Sequence, residues 1–272
     1  MVGLKLVGDN TIASLGARCV RQLTSSDRAH LVLEGEFGRD VATTIANSAN
    51  ADLPLGAYGS PTYTDPYGVT LYSPASGETG QWLDTQLGDL GGTFCIAVIF
   101  NPMNTTGFAA LATNRVDANQ QYGVVFEATG ANVLSDIYTF TTASPATLNR
   151  RQLGNLLLSS GTTNAWRMAV LRVTCASGKA DPTVKISQYQ SNGLLGSILS
   201  ATYTGDTLRD GLFAWALGSN RGSLPFTGAT PKQVKHLAAF VWANQTTAFT
   251  DAQVLAMYQE QYTRFAALGV TI

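Results

Sequence analysis

Leu212-Phe-Ala-Trp-Ala-Leu-Gly218 is an apolar segment that runs into a Ser-Asn turn, and it opens the part of the chain that decides the fold. A second apolar segment, residues 233–242, follows a loop with glycine and proline, and both segments predict β-strands. Thr250 is then placed as a helix N-cap, with Gln253 at capping-box spacing and Gly269 positioned to end the helix. The apolar residues between them recur at helical spacing: Val254, Leu255, Tyr258, Tyr262 and Phe265.

Short strands with regular turns are also predicted before this segment, at residues 68–72, 81–85, 92–100, 108–113, 122–128, 137–142, 165–174 and 184–190. Alternation is clearest in residues 165–174. The two faces of that strand are Trp166, Met168, Val170 and Arg172 on one side, and Ala169, Leu171 and Val173 on the other. Many short strands followed by one late helix predict an all-β sandwich.

The composition suits a large, neutral domain. Of 272 residues, 45% are hydrophobic and 13% are charged, and the net charge is −1. This balance argues against nucleic acid as a partner, because phosphate binding needs a basic patch. The chain lacks the run of about 18 apolar residues that spans a membrane, and without a basic-then-apolar leader we expect it to be made in the cytoplasm. The cysteines have scattered spacing that predicts free thiols: Cys19, Cys95 and Cys175.

The start of the chain differs from the rest and predicts an N-terminal extension, residues 1–52, ahead of a main domain, residues 53–272. A stretch rich in Pro, Gly, Tyr and Asp marks the boundary. Within the extension, residues 31–36 predict a strand and residues 39–47 a short helix. Two roles stay open for the extension: an assembly arm that packs on a neighbouring subunit, or a segment that wraps its own domain.

Four phrases stand in a fixed order along the chain: Gly80-Gln-Trp-Leu-Asp-Thr85, Trp166-Arg-Met-Ala169, Leu217-Gly218 with Phe226-Thr-Gly228, and Val241-Trp-Ala-Asn244 with Phe249-Thr-Asp-Ala-Gln253. In order and spacing they resemble laminin-G and concanavalin A-like lectin domains. Phe249 stands where that family commonly has leucine, and Gln253 where it has glutamate. The resemblance covers about residues 58–268 and implies an antiparallel jelly-roll β-sandwich with one C-terminal helix.

The sequence offers little catalytic chemistry. It has two histidines, His30 and His236, and it contains no Gly-x-Ser-x-Gly nucleophile elbow. Glucanases with this sandwich carry a Glu-x-Asp-x-x-Glu cluster, which supplies the two carboxylates that glycoside hydrolysis needs. This chain has no such cluster, so we interpret Glu78, Glu127 and Asp136 as single solvated carboxylates. We therefore predict a domain that is not an enzyme and needs no cofactor.

Carbohydrate recognition is the remaining chemistry, because amides, charged groups and aromatic rings hold sugar hydroxyls and faces. One loop supplies such a set: Asn114, Arg115, Asp117, Asn119 and Tyr122. Asn220 and Arg221 form a second polar tip, and Asp117 with Asp136 is a candidate Ca²⁺ site of oxygen ligands. Ordinary hydrated turns are the alternative at each place. The four tryptophans fall in predicted strands and are assigned to the core: Trp82, Trp166, Trp215 and Trp242.

The resemblance implies a non-catalytic module that binds glycans. The neutral composition and the extension are similar to those of modules on phage tails and virion surfaces, which are often trimers. Host glycans or virion proteins are then the partners, residues 1–52 the homo-oligomer contact, and the virion the location. Two alternatives stay open: a structural virion protein without sugar affinity, and a glycoside hydrolase on the same sandwich.

Overall fold

The computed structural model describes residues 28–38, 40–64, 67–73, 80–103, 107–114, 123–129, 132–157, 164–191, 193–211, 213–218 and 232–272. The first strands in chain order are β1 (Leu31–Glu36), β2 (Gly56–Tyr58), β3 (Thr62–Tyr63), β4 (Val69–Ser73), β5 (Trp82–Asp84), β6 (Thr93–Asn101), β7 (Phe108–Thr113), β8 (Val124–Thr129) and β9 (Asn132–Thr141). They are followed by β10 (Leu148–Leu157), β11 (Arg167–Thr174), β12 (Thr183–Gln190), β13 (Gly193–Leu194), β14 (Leu199–Thr202), β15 (Asp206–Leu208), β16 (Ala216–Gly218) and β17 (Lys232–Trp242). The helices are α1 (Val41–Thr44) and α2 (Asp251–Ala266).

Two antiparallel sheets face each other and form a sandwich. The first sheet has the order β13-β12-β11-β6-β17-β4-β3, with β1 also on β17 and β14 also on β12. The second sheet has the order β10-β9-β8-β7-β16-β5-β2, with β15 also on β9. Their facing sides bury one hydrophobic core, and this arrangement confirms the predicted all-β sandwich with one C-terminal helix.

The first sheet is covered on both of its sides, which explains why its central strands are continuously apolar. In β6, Phe94, Ile96, Val98 and Phe100 face the second sheet, whereas Cys95, Ala97 and Ile99 belong to a second core beneath α2. The predicted alternation of β11 is confirmed, since Met168 and Val170 lie in that second core and Ala169 and Leu171 in the first. An alternating strand thus serves two cores at once.

Helix α2 begins as the sequence predicts. Thr250 Oγ1 accepts a hydrogen bond from Gln253 N at 3.2 Å, and Thr250 N donates to Gln253 Oε1 at 2.8 Å. This capping box satisfies amides that the first turn leaves unpaired. Tyr258 is buried against the first sheet and stacks on Tyr189 with ring centroids 5.2 Å apart. Arg172 Nη1 lies 2.6 Å from Asp251 Oδ1 and ties the helix start to β11.

Two strand predictions need correction. Only Ala216–Gly218 of the segment 212–218 is a strand, because Trp215 belongs to a loop, where its backbone N donates to Leu87 O at 2.7 Å. Strand β10 was not predicted, since its sequence, LNRRQLGNLL, breaks alternation with two arginines and a glycine at the edge of the second sheet.

Strand β1 lies within the predicted extension and pairs with β17, with Leu33 opposite Val241 and buried in the core. Residues 31–36 are therefore a strand of the first sheet, as expected for a segment that wraps its own domain. Residues 1–27 lie outside the described residues, so the boundary near residue 52 and the assembly role stay predictions. Cys95 and Cys175 are free thiols, and Cys19 lies outside the described residues. Across those residues, no helix has the length and apolar character to cross a membrane.

Candidate ligand-binding cleft at one end of the sandwich

Loops from both sheets meet at one end of the sandwich and enclose a small cleft. The cleft, which we call the rim cleft, has an internal volume of about 10 Å³, which is room for about one water molecule. The segment after β5, the end of β7 and the segment between β15 and β16 form its walls. Six residues that line it matter below: Asp89, Phe94, Asn114, Arg209, Asp210 and Trp215. The rim cleft thus combines carboxylates, an amide and aromatic rings in one place.

Asn114 is the one residue of the predicted recognition loop that the structure describes, and it forms part of the cleft wall. Its side chain is 8% exposed, and its Oδ1 accepts a hydrogen bond from Val124 N at 2.7 Å. Gly123 and Gly211 press against it so closely that a Cβ on Gly211 would lie 2.4 Å from Asn114 Cγ. Asn114 therefore fixes the point where the chain leaves β7, and both glycines are needed for that packing.

The other predicted recognition residues lie outside the described residues, and their roles stay predictions. They are Arg115, Asp117, Asn119 and Tyr122 on the first loop, and Asn220 and Arg221 on the second tip.

A lysine joins two carboxylates at the mouth of the rim cleft. Lys179 Nζ lies 2.6 Å from Asp89 Oδ2 and also pairs with Asp210 Oδ1. Burial raises the pKa of Asp89, but hydrogen bonds from Lys179 and the Gly91 amide outweigh it and hold this pKa below its usual value. Burial lowers the pKa of Lys179, and its two carboxylate partners raise it further than burial lowers it. Asp89 and Lys179 therefore stay charged at neutral pH.

Trp215 forms the apolar side of the rim cleft. It is 3% exposed and meets Phe94 edge to face, with ring centroids 5.8 Å apart. Its Nε1 is buried, and no hydrogen-bond partner for it occurs in the structure. A buried N–H group usually has a partner, so this donor is available to a ligand. The assignment of Trp215 to the core is confirmed by its burial, but its loop position places it in the cleft wall.

Arg209 is held in place on the floor of the rim cleft. Its guanidinium lies over the Phe140 ring, 4.4 Å from the centroid. Its backbone N donates to Tyr138 O at 2.8 Å, and its backbone O accepts from Gly123 N at 3.1 Å. The Arg209 side chain therefore lies on the outer side of the second sheet, and its backbone fixes this wall of the cleft.

The other tryptophans divide between core and surface. Trp242 is fully buried in the core beneath α2. Trp166 is half-buried at the edge of that core, next to the Lys235 ammonium at 5.6 Å. Trp82 lies on the side of β5 away from the core and stacks on the exposed Tyr58, with centroids 5.1 Å apart. The assignment of all four tryptophans to the core is therefore wrong for Trp82.

Glu127 and Asp136 are not the solvated carboxylates that the sequence suggested. Both are buried on the outer side of the second sheet, on the neighbouring strands β8 and β9. Asp136 Oδ2 accepts from Arg150 Nε at 3.0 Å and forms an ion pair with that guanidinium. A guanidinium already bound to Asp136 disfavours Ca²⁺ there, and the described residues hold no group of three His, Cys, Asp or Glu that could bind a metal. Asp117 and Glu78 lie outside the described residues.

Comparison with known proteins identifies the fold alone. No protein-family model and no curated protein matches the chain. Among solved structures, the receptor-binding domain of botulinum neurotoxin type G is similar, with 11% identity, a TM-score of 0.51 and coverage of 86% of this chain and 52% of that one. The binding domain of serotype D has 9% identity, a TM-score of 0.56 and coverage of 86% and 53%. A third similar structure is the binding domain of botulinum neurotoxin DC in complex with SialylT, with 9% identity, a TM-score of 0.54 and coverage of 86% and 52%.

This chain therefore spans about half the length of the solved chains that it matches. The similarity supports a β-sandwich fold, and at this level of identity it does not extend to ligands or partners.

Proposed function

We propose that the chain is a non-catalytic carbohydrate-recognition module and that the rim cleft holds the sugar. The observation that carries the proposal is the buried Trp215 Nε1, without a partner among the described residues, in the wall of a cleft that also contains Asp89 and Asp210. The similar folds of receptor-binding domains, one of them in complex with SialylT, support a recognition role.

The groups of the rim cleft match the chemistry of a sugar ring. Carboxylates of Asp89 and Asp210 accept hydrogen bonds from sugar hydroxyls, and Trp215 Nε1 donates one. Lys179 lowers the pKa of Asp89 and holds both carboxylates in position through ion pairs. The internal volume of about 10 Å³ holds little more than one water-sized group, so we expect the cleft to receive one hydroxyl of a sugar ring whose body lies outside it.

A glycan array followed by calorimetry tests this function. We expect the wild type to bind a subset of glycans without turnover. Asp210→Asn removes one charged acceptor and should weaken binding about tenfold, which is the effect of one charge-assisted hydrogen bond. Trp215→Phe removes the N–H donor while it keeps an aromatic ring, and a similar loss is expected.

Asp52→Asn is the matched control, since Asp52 is an exposed carboxylate outside the rim cleft. The proposal fails if no glycan is bound. It also fails if Asp210→Asn and Asp52→Asn bind as tightly as the wild type.

Glycoside hydrolysis is the second candidate, because Glu127 and Asp136 share a face of two adjacent strands. Val125 is the residue opposite Asp136, so Glu127 is its diagonal neighbour. Diagonal neighbours have Cβ atoms about 7–8 Å apart, within the carboxylate separation of inverting glycosidases. Asp136 is already ion-paired with Arg150, so Glu127 and Asp136 would make a poor acid–base couple. If this second function held, the protein would hydrolyse nitrophenyl glycosides, and Glu127→Gln would lose that activity. We expect no hydrolysis.

We also propose that the module belongs to a phage tail or virion surface, as a homo-oligomer with contacts from residues 1–52. Its low charge content and its extension support this role. A structural virion protein without sugar affinity is the alternative. Light scattering should give a mass that is a multiple of the chain mass, with a trimer as the expected state. A monomer at micromolar concentration would contradict the assembly role, whereas an oligomer without glycan binding would favour the structural alternative.

A further inference from the structure

At the end of the sandwich opposite the rim cleft, a buried serine and a buried lysine lie side by side. Ser73 ends β4, Lys232 begins β17, and the two residues are directly opposed in the register of the first sheet. Two residues further in, Leu71 and Val234 form the next opposed pair that faces the same way, and both belong to the core between the sheets. Ser73 and Lys232 therefore face the sandwich interior at its mouth.

Among the residues that the structure describes, neither polar group of this pair has a hydrogen-bond partner. Lys232 and Ser73 are each 1% exposed, and the structure gives no partner for Lys232 Nζ or Ser73 Oγ. Acidic side chains that pair with Lys232 are also absent from the ion pairs of the described residues. A buried ammonium without a partner is costly, so such an arrangement indicates a missing ligand.

A second cation strengthens the positive potential at this place. Arg167 begins β11, is fully buried and lies on the face of β11 that points to the core between the sheets. Burial lowers the pKa of Lys232 to about 8, and the positive charge of Arg167 lowers it as well. His236 faces the same interior and adds no charge at neutral pH, because burial lowers its pKa to about 4. Like charges that approach each other in an apolar interior favour an anion between them.

We propose that Lys232 Nζ and Ser73 Oγ bind one small oxyanion, a phosphate, sulfate or carboxylate group. We call this site the basic niche, defined by Ser73 and Lys232. One oxyanion accepts hydrogen bonds from both unpartnered donors and neutralises the buried charge. The basic niche and the rim cleft lie at opposite ends of the sandwich, so each proposal can fail without the other.

Thermal unfolding at constant ionic strength tests the basic niche. Inorganic phosphate, sodium sulfate and sodium acetate are each compared with sodium chloride. We expect at least one of the three oxyanions, at a concentration well above its Kd, to raise the wild-type Tm by about 3 °C. A rise in Tm with phosphate or sulfate but not with acetate would identify a tetrahedral oxyanion as the ligand. A rise with acetate but not with phosphate or sulfate would identify a carboxylate. No rise with any of the three would overturn the proposal.

Two variants separate specific binding from a general salt effect. Lys232→Met should lose the rise in Tm. Lys235→Met, three residues along the same strand and next to Trp166, removes a cation outside the niche and should keep it. An equal rise in Lys232→Met and the wild type would contradict the site. If Lys232→Met does not fold, calorimetry of Ser73→Ala decides: about tenfold weaker anion binding supports the niche, and unchanged binding refutes it.

Discussion

Lys179 and Lys232 lie at opposite ends of one sandwich and have opposite surroundings. Lys179 lies between Asp89 and Asp210 at the rim cleft, and its pKa is raised. Lys232 is withdrawn from solvent beside Ser73 without a carboxylate partner, and its pKa is lowered to about 8. The first lysine organises its neighbours, whereas the second is a cost that the fold carries. The difference teaches that the sign of a lysine's effect on stability follows from its partners and not from its burial alone.

Substitution of Lys232 should give the largest effect. In chloride buffer without oxyanions at pH 7, we expect Lys232→Met to raise the free energy of unfolding by about 3 kcal/mol, since each unit of pKa shift corresponds to about 1.4 kcal/mol. The pKa is lowered from 10.5 to about 8, so the folded state loses stability as the pH falls from 10.5 to about 8. Urea denaturation measures the change. A destabilised Lys232→Met would show that the ammonium has a partner and would remove the contrast with Lys179.

The histidine of the same interior should make the protein sensitive to acid, with an effect nearly as large. Burial lowers the pKa of His236 from 6.5 to about 4. The unfolded chain then binds a proton that the folded chain does not, so the free energy of unfolding falls by about 3 kcal/mol as the pH falls from 6.5 to about 4. His236→Leu should lose this part of the pH dependence in urea denaturation. If the free energy of unfolding depends on pH equally in both proteins, His236 is not held in its neutral form by burial.

Substitution of Lys179 should have the opposite sign and the smallest effect. Lys179→Met should lower the free energy of unfolding by less than about 1 kcal/mol, because its partners Asp89 and Asp210 are about half exposed and solvent screens the pair. The loss should be greatest between the ordinary pKa values of 3.8 for Asp89 and 10.5 for Lys179. It should fade as the pH falls through the lowered pKa of Asp89 or rises through the raised pKa of Lys179. If Lys179→Met were more stable than the wild type, Lys179 and Lys232 would affect stability in the same direction, and the contrast between them would be wrong.

The fold could be predicted where sequence patterns are local. The capping box of Thr250 and Gln253 lies within four residues, and alternation in β11 is read from eight residues. Strand β10 could not be predicted, because Arg150 and Arg151 find their partners Asp136 and Asp206 on other strands. Its polar sequence is stabilised by tertiary contacts that no local pattern shows.

The candidate site was only partly predictable for the same reason. Asn114 was recognised from its polar loop, but Asp89 is far in the chain from Asp210 and Trp215 and meets them only in the folded structure. Lys232 gave no signal either, since a lysine at the start of a predicted strand is usually solvated. A buried cation becomes visible only when both sheets are in place.

The indole N–H resonances of the four tryptophans test the central claim, that the rim cleft binds a sugar, most directly. Proton–nitrogen NMR spectra of the protein, with each signal assigned by a Trp→Phe variant, would be recorded during titration with a glycan selected on the array. We expect the Trp215 resonance to shift with saturation, because its Nε1–H gains a hydrogen-bond partner, while the Trp166 and Trp242 resonances stay in place. A titration that shifts Trp82 and leaves Trp215 unchanged would move the site to the outer side of the second sheet and contradict the claim.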